Sequence, residues 1–485
     1  MPTLTLKNLK GISFDETKWS GGFARYAKGV DVYGMGDNAS KISYPGVVQC
    51  AKTLSAETGA LSGTSAITEQ IIDFAYHGGG RYACGAGNPI RIYRDDSPWT
   101  WLSGVSAENA GTVAASVEDY AGDMYYAQRT YLGQYNNGTG ASSSQFKTFT
   151  ATTDTPRPQK VYSGSLFTGN DQYVTKWDGT TWSPTKLTLP SGFVVKSLEV
   201  YSDRLYVSAD DGQSARIFIW DGVSTTYEDA IKLVDENVAP SLITDGSFLW
   251  IIPNRGTASA GVPIYVWNGG SLDSPFVLPI KRDPQTGVSL YKGGVLIGSE
   301  ETGATATYED GIAGIWMIRK DGDTYSPVLL WDLAQSTTSK TVGAIFSSGN
   351  QVEVGFVDTT SGSTYRIDTL DSTTTNISGV WSSLPIDAGT SENKIWKGVM
   401  VELEQDETIF SNVTVSYRLD YATSFTDLHT FSTTGTQGSL QSNAKKWIPI
   451  RRKGKVIEIR VTLTSSSANS ARLHSIKLQY SNTNV

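Results

Sequence analysis

Apolar and polar residues alternate with period two along much of the chain, and turn dipeptides interrupt the alternation every few residues. The clearest stretch is 197–231. There SLEVY is followed by a tight Ser202-Asp203 turn and RLYVSAD. A loop, DGQSA, leads to RIFIW, an Asp221-Gly222 turn and STTYEDAI. This pattern predicts four short antiparallel strands joined by hairpins. Asp-Gly or Asn-Gly between alternating runs predicts a type I′ turn, which needs positive φ twice. Helical patterning is nearly absent.

The same unit recurs. Its first turn falls near Gly79, Gly122, Gly164, Asp203, Gly246, Gly293 and Gly349, at spacings of 39 to 56 residues. Its second turn falls at Asp95-Asp96, Asn137-Gly138, Asp178-Gly179, Asp221-Gly222, Asn268-Gly269 and Asp321-Gly322. The seventh copy lacks a clean second turn; TYRIDTL, near Asp368, is its nearest match. A four-strand unit with a period of roughly 40–50 residues is the pattern of propeller blades. Each unit presents apolar residues to both faces, as at Leu205, Val207, Ile217, Ile219 and Trp220, so it needs neighbours on both sides. Seven blades are expected between about residue 67 and 376, a count of turns that leaves six or eight open.

The period breaks after residue 376. VWSSLPI, KIWKGVMVEL, VTVSYRL, KKWIPI, KVIEIRVTL and RLHSIKLQY alternate strictly, which predicts an antiparallel β-sandwich over 377–485. Residues 1–66 read as an N-terminal arm with two strand-like pieces, TLTLKNL and ISYPGVV, one of them able to close the ring. The fold class is all-β: a propeller followed by a sandwich.

Composition narrows the function. Aromatic residues make up 11% of the 485, too many for a disordered chain. No run of 18 apolar residues occurs, so no membrane-spanning helix is expected. MPTLTLKNLKGISFDE has no apolar core of a secretory signal, which points to synthesis in the cytosol. Cys50 and Cys84 are then free thiols. The Asn-x-Ser/Thr matches at Asn38, Asn137, Asn376 and Asn412 are chance. The net charge is −8, with 40 Lys/Arg against 48 Asp/Glu. That argues against a sequence-specific nucleic-acid binder, which needs a basic face. From Ser378 onward 12 basic residues face 9 acidic ones, net +3; the remainder holds 28 against 39, net −11.

Candidate chemistry is sparse. His77, His429 and His474 have no nucleophile motif beside them, and no G-x-S-x-G, phosphate loop or H-E-x-x-H occurs. Asp210-Asp211-Gly212 and Lys320-Asp321-Gly322-Asp323 read as turns rather than calcium loops. Ser208–Ser214 resembles the Asp-box of sialidase-type propellers, with Ala215 in place of the tryptophan. That box is structural, and the catalytic groups of sialidases have no counterparts to match. Trp99, Trp101, Trp177, Trp182, Trp220 and Trp267 sit at or beside the second turns. They read as packing between blades, against the alternative of sugar stacking. No catalytic residue, cofactor or metal is expected. The one basic cluster is Lys445, Lys446, Arg451, Arg452, Lys453 and Lys455. It is either a hairpin edge protected by charge or a docking patch for an acidic partner or DNA, and the protected edge is preferred.

The C-terminal strands carry a resemblance. WSSLPIDAG (381–389), NKIWKGVMVEL (393–403), VTVSYRLD (413–420), GKVIEIRVTLTSS (454–466) and LHSIKLQYSN (473–482) follow one another in order. This resembles the sandwich that follows a propeller in virion proteins of tailed bacteriophages, of the tail hub, nozzle or head-completion type. KNLKGISFDE (7–16) and ISYPGVV (42–48) are similar to the arm of such proteins. The resemblance implies a non-enzymatic structural component of the virion, associated with the tail or head–tail connector. Its partners would be other virion proteins, in a homo-oligomeric ring or symmetric array. A glycan-binding propeller for host-surface recognition is the alternative, and a propeller hydrolase or lyase a weaker one. The first and third turns of every blade are expected on one flat face. The longer loops 211–215, 254–261 and 299–314 are expected on the other, as a peripheral contact surface.

Overall fold

The computed structural model describes residues 2–33 apart from 12, 14, 15 and 29; 47–56; 67–105 apart from 88–89, 97–98 and 103–104; and 116–278 apart from 235 and 255–260. It also describes 280, 282, 287–299, 314–321, 324–332, 340–358, 364–375, 378–404, 411–431, 444–465 and 471–482. The chain divides into two units. One comprises 56–313 with 335–369, the other 1–55 with 314–334 and 370–485.

The first unit holds five complete four-stranded antiparallel meanders, at 71–101, 116–148, 159–188, 194–233 and 241–278. They are called here the first to fifth sheets. The hairpin of Val288–Tyr291 and Gly294–Ser299 follows, then Lys340–Ser348 and Gln351–Asp358, which pair in turn with Thr364–Thr375. The leading strands touch in cyclic order. Ile71–His77 contacts Ser116–Tyr120, and so on through Gln159–Tyr162, Val194–Tyr201, Ser241–Thr244 and Val288–Tyr291 to Lys340–Ser348, which returns to Ile71–His77. Successive four-stranded meanders packed through their leading strands around a common axis define a β-propeller.

Period-two alternation explains why the sheets cannot stand alone. In Arg204–Asp210, Leu205, Val207 and Ala209 join Phe167, Val174 and Leu187 of the third sheet. On the opposite face Tyr206 joins Leu249 and Ile251 of the fifth. Each strand therefore feeds two cores, and burying each Leu or Val contributes roughly 1.5–3 kcal/mol.

The hairpins differ from the sequence expectation in one respect. The first turns of the first four sheets are two-residue turns with two positive φ values, as at Ser163 (46°) and Gly164 (70°), or Ser202 (46°) and Asp203 (56°); that of the fifth is a four-residue loop in which only Gly246 (88°) is left-handed. The third hairpins are not of this type. Trp177 pairs with Trp182 and Trp267 with Leu272, so four residues intervene. Only the glycine is left-handed there, at 91° for Gly179 and 94° for Gly269. The Asp or Asn side chain closes the loop instead. Asp178 Oδ1 accepts the amides of Thr180 (2.9 Å) and Thr181 (2.6 Å), and Asn268 Oδ1 accepts those of Gly270 (2.9 Å) and Ser271 (2.8 Å). Asp and Asn serve here as side-chain caps, which the dipeptide alone does not distinguish from a type I′ turn.

The second unit contains the four-stranded sheet Thr3–Leu6, Arg472–Asn482, Lys394–Glu404 and Ala444–Gly454, in that spatial order. It also contains a ladder running Thr324–Asp332, Ala24–Lys28, Ser378–Ser383, Ile457–Ser465, Ser411–Leu419 and Thr426–Phe431. Alternate residues are buried in both, such as Val399, Val401 and Leu403, or Ile457, Ile459, Val461 and Leu463.

The expected boundaries at 66 and 376 do not coincide with the division into units. Residues 1–66 do not form a separate arm. Leu4 pairs with Leu478 and Leu6 with Ile476, so TLTL is a strand of the C-terminal sheet, and Leu6 and Leu9 are buried. Residues 314–334 and 370–376 group with the second unit. Lys28 pairs in parallel with Leu329, Tyr33 Oη donates to Met317 O (3.2 Å) and Arg319 donates to Tyr33 O (3.3 Å). These ties hold the hairpin of Gly314–Asp321 and Thr324–Asp332 to the N-terminal segment. Residues 42–46, 255–260, 300–313 and 322–323 lie outside the described residues. They include most of ISYPGVV, two of the three long loops and the Gly322 turn.

Candidate functional site

The first turns form a connected face. The last residue of a leading strand is repeatedly tyrosine, and its hydroxyl donates to a backbone carbonyl in the first turn of the next sheet. Tyr120 Oη reaches Gly164 O (2.8 Å), Tyr162 Oη reaches Asp203 O (2.7 Å) and Tyr201 Oη reaches Ser247 O (3.0 Å). In an antiparallel meander the first and third turns share one end, so the Asp178 and Asp221 loops lie here too. A Cβ at Gly179 would stand 3.6 Å from Tyr120 Oη, and one at Gly222 would stand 2.8 Å from Tyr162 Cε1. Asp178, Asp203, Asp229 and Asp245 are exposed on this face. The amides of Thr181 and Thr180 hold the Asp178 carboxyl down at about 2.

The tryptophans beside the third hairpins pack as expected. Trp177 Nε1 donates to Tyr125 Oη and Trp267 Nε1 to Tyr206 Oη, both at 3.2 Å and both to the preceding sheet. Trp220 is fully buried, edge-on to Phe167 at 5.4 Å. Trp99 is buried against Phe74, and Trp182 Nε1 donates to Thr148 O (3.2 Å). Trp101 is 38% exposed and carries the Arg91 guanidinium at 4.9 Å from its ring. The segment resembling an Asp-box is a turn: Asp211 Oδ1 accepts the amides of Gln213 and Ser214, and Asp210 Oδ2 accepts that of Ala239.

The leading strands hold a charged cluster that the sequence reading missed: Asp73, Glu118, Lys160 and Glu199, one from each of four successive sheets. Lys160 Nζ lies 2.8 Å from Glu199 Oε1. Asp73 Oδ2 accepts the Val117 amide (2.9 Å) and its Oδ1 the Phe74 amide (2.9 Å). Burial is the largest influence on both unpaired carboxyls, lifting Asp73 to about 7 and Glu118 to about 8, against the pull of Lys160. A signal was present: Glu118, Lys160 and Glu199 each stand two residues before the turn tyrosine. Among the described residues no group of three or more His, Cys, Asp or Glu is placed to hold a metal ion.

The histidines and thiols have local partners. His77 is buried, with Nδ1 2.8 Å from Asp119 Oδ1 and Nε2 accepting the Asn137 amide (3.4 Å), both in the second sheet. Cys84 is buried, and burial together with Asp73 and Glu69 pushes its thiol well up. A thiol held protonated in this way is unreactive.

The basic cluster lies on Ala444–Gly454, an edge strand that pairs only with Lys394–Glu404 among the described residues. Three features disfavour pairing with another strand along this edge. Pro449 lacks an amide, the register shifts between Trp396 and Gly398, and Arg451 is left-handed (φ 50°). Lys446, Arg451, Arg452, Lys453 and Lys455 are exposed; Lys445 belongs to the strand by backbone register, opposite Glu402. Lys446 Nζ lies 3.0 Å from His429 Nε2. Burial, then the Lys446 charge, holds His429 below its ordinary range. Arg451, Arg452, Lys453 and Lys455 form no ion pair among the described residues. Trp447 is 41% exposed in the same strand. It lies over Gly398, where a Cβ would come within 2.8 Å of its Cζ2.

No family model matches the chain, and no curated protein matches it. Among solved structures, the computationally designed Ika8 protein is similar at 10% identity and TM-score 0.41, over 75% of this chain and 99% of that one. The WD40 β-propeller domain of Doa1 is similar at 10% identity and TM-score 0.43, over 68% and 98%. A chain of the Mitotic Checkpoint Complex is similar at 12% identity and TM-score 0.44, over 66% and 93%. None of these likenesses carries a functional argument.

Proposed function

We propose that the chain is a non-enzymatic structural component of a tailed-phage virion, associated with the tail or head–tail connector and acting through protein–protein contacts. The observation that carries the assembly role is the edge strand 444–454. It presents exposed, un-ion-paired guanidinium and ammonium groups on a rigid sheet, and its bulge and proline prevent simple strand addition. Such an edge meets a partner through side chains and charge rather than through the backbone. The resemblance of the C-terminal strands supplies the virion setting. The alternative of a glycan-binding propeller draws less support, because the turn-side tryptophans other than Trp101 are engaged between sheets.

The test is particle incorporation of a variant with Lys446, Arg451, Arg452 and Lys453 changed to Gln. A folded variant should incorporate poorly at low salt, and the gap to wild type should narrow as salt rises, because screening weakens the wild-type charges and the variant has none there to screen. Normal incorporation at every salt concentration would refute the docking role. Specific signal on a glycan array, abolished by Trp101→Ala, would favour host-surface recognition instead.

A further inference from the structure

The two units carry opposite charge. The propeller unit holds 19 Lys/Arg against 31 Asp/Glu, net −12, and the second unit holds 21 against 17, net +4. The acidic charge is not spread evenly by side-chain role. On the turn face, Asp178 spends one carboxylate oxygen on loop amides and Asp245 both of its own, one on loop amides and one on Trp250 Nε1 (2.9 Å); Asp203 and Asp229 stand exposed beside them, and Arg204 is paired with Glu228 (2.8 Å). The tyrosine hydroxyls fasten these turns together, so the charges sit on a face with little freedom to rearrange. The edge strand offers the complement: Arg451, Arg452, Lys453 and Lys455, exposed and without ion pairs among the described residues.

We infer that the acidic turn face of one copy receives the basic edge strand of a second copy, a head-to-tail contact. The occupant is a second copy because the chain itself supplies both halves of the complementary pair. The contact is heterologous, so repetition closes a ring or extends a filament. It deepens the assembly reading given above and rests on it. Charge steers the encounter and fixes register, and the exposed Trp447 of the same strand supplies apolar area.

The test uses two full-length variants. The edge variant carries Arg451→Gln, Arg452→Gln, Lys453→Gln and Lys455→Gln. The face variant carries Asp178→Asn, Asp203→Asn and Asp229→Asn. Asparagine keeps a capping oxygen, as Asn268 does in the fifth sheet, and tolerates positive φ, so the turns should hold. Circular dichroism melts confirm folding, and sedimentation velocity reads mass. Wild type should associate at low salt and dissociate at high salt. Each variant alone should self-associate at least tenfold more weakly. An equimolar mixture should form a dimer and nothing larger, because one intact edge then meets one intact face. A wild type that stays monomeric, a variant that associates like wild type, or a mixture that stays monomeric would each overturn the contact. Particle content separates this from the assembly reading. A chain present in particles whose mixture fails refutes the contact alone; a chain absent from particles refutes the reading on which the contact rests.

Discussion

Raising the pH from 6 to 9 should destabilise the propeller unit, and Glu118 should account for much of the loss. Its carboxyl stands at about 8 in the fold against an ordinary 4.5, because burial and the neighbouring Asp73 and Glu199 disfavour the charge more than Lys160 favours it. The folded state therefore keeps a proton that the unfolded chain has released. The stabilisation is complete below the unfolded pKa and is lost as pH rises through the folded one. A shift of this size corresponds to roughly 4–5 kcal/mol for Glu118 alone, lost progressively from its ordinary pKa up to its folded one. Asp73, at about 7, is coupled to it, so the two losses do not add. Only the last two pH units of the Glu118 range lie above pH 6, roughly 2.7 kcal/mol, and at roughly 2 °C per kcal/mol for a unit of this size the drop from pH 6 to 9 is about 5 °C. The assay is differential scanning calorimetry at fixed scan rate from pH 5 to 9.5, on wild type and Glu118→Gln. Glutamine keeps the shape and cannot ionise, so the variant should lose about half as much or less. An equally steep fall in the variant, or a wild-type profile flat between pH 6 and 9, would refute the reasoning.

The remaining predictions concern packing and reactivity. Trp220→Ala should cost roughly 3–5 kcal/mol by opening a cavity between the third and fourth sheets, read as a lowered denaturation midpoint, whereas the half-exposed Trp101→Ala should cost under about 1 kcal/mol. Tyr162→Phe removes one inter-sheet hydrogen bond to Asp203 O and should cost about 1 kcal/mol by the same measurement. Cys50 and Cys84 are buried, so a thiol reagent should label neither in native buffer and both in denaturant.

The repeat was legible because its signals are local. Alternation, a turn every few residues and a tyrosine before the turn recur in each sheet, and residues near one another in sequence supply them. The third hairpins were placed correctly and typed wrongly, since Asp-Gly suits both a type I′ turn and a capped four-residue loop; the Thr180, Thr181 and Ser271 amides decide between them. The division into units was not legible. It depends on pairings such as Lys28 with Leu329 and Leu6 with Ile476, which join distant segments and leave no periodic trace. Basic residues at 445–455 were visible as a cluster, and their place on an edge strand followed from strict alternation. The leading-strand charges were overlooked for the opposite reason. Glu118, Lys160 and Glu199 look like ordinary polar positions of alternating strands until the leading strands are brought side by side.

The central claim is that this chain is built into a particle. Its most direct test is quantitative mass spectrometry of purified particles from cells carrying the gene beside its native neighbours. The account predicts that the chain copurifies with capsid and tail proteins at a fixed ratio that survives gradient purification at low salt. Particles complete and infectious without the chain, or a ratio falling toward zero during purification at low salt, would contradict it.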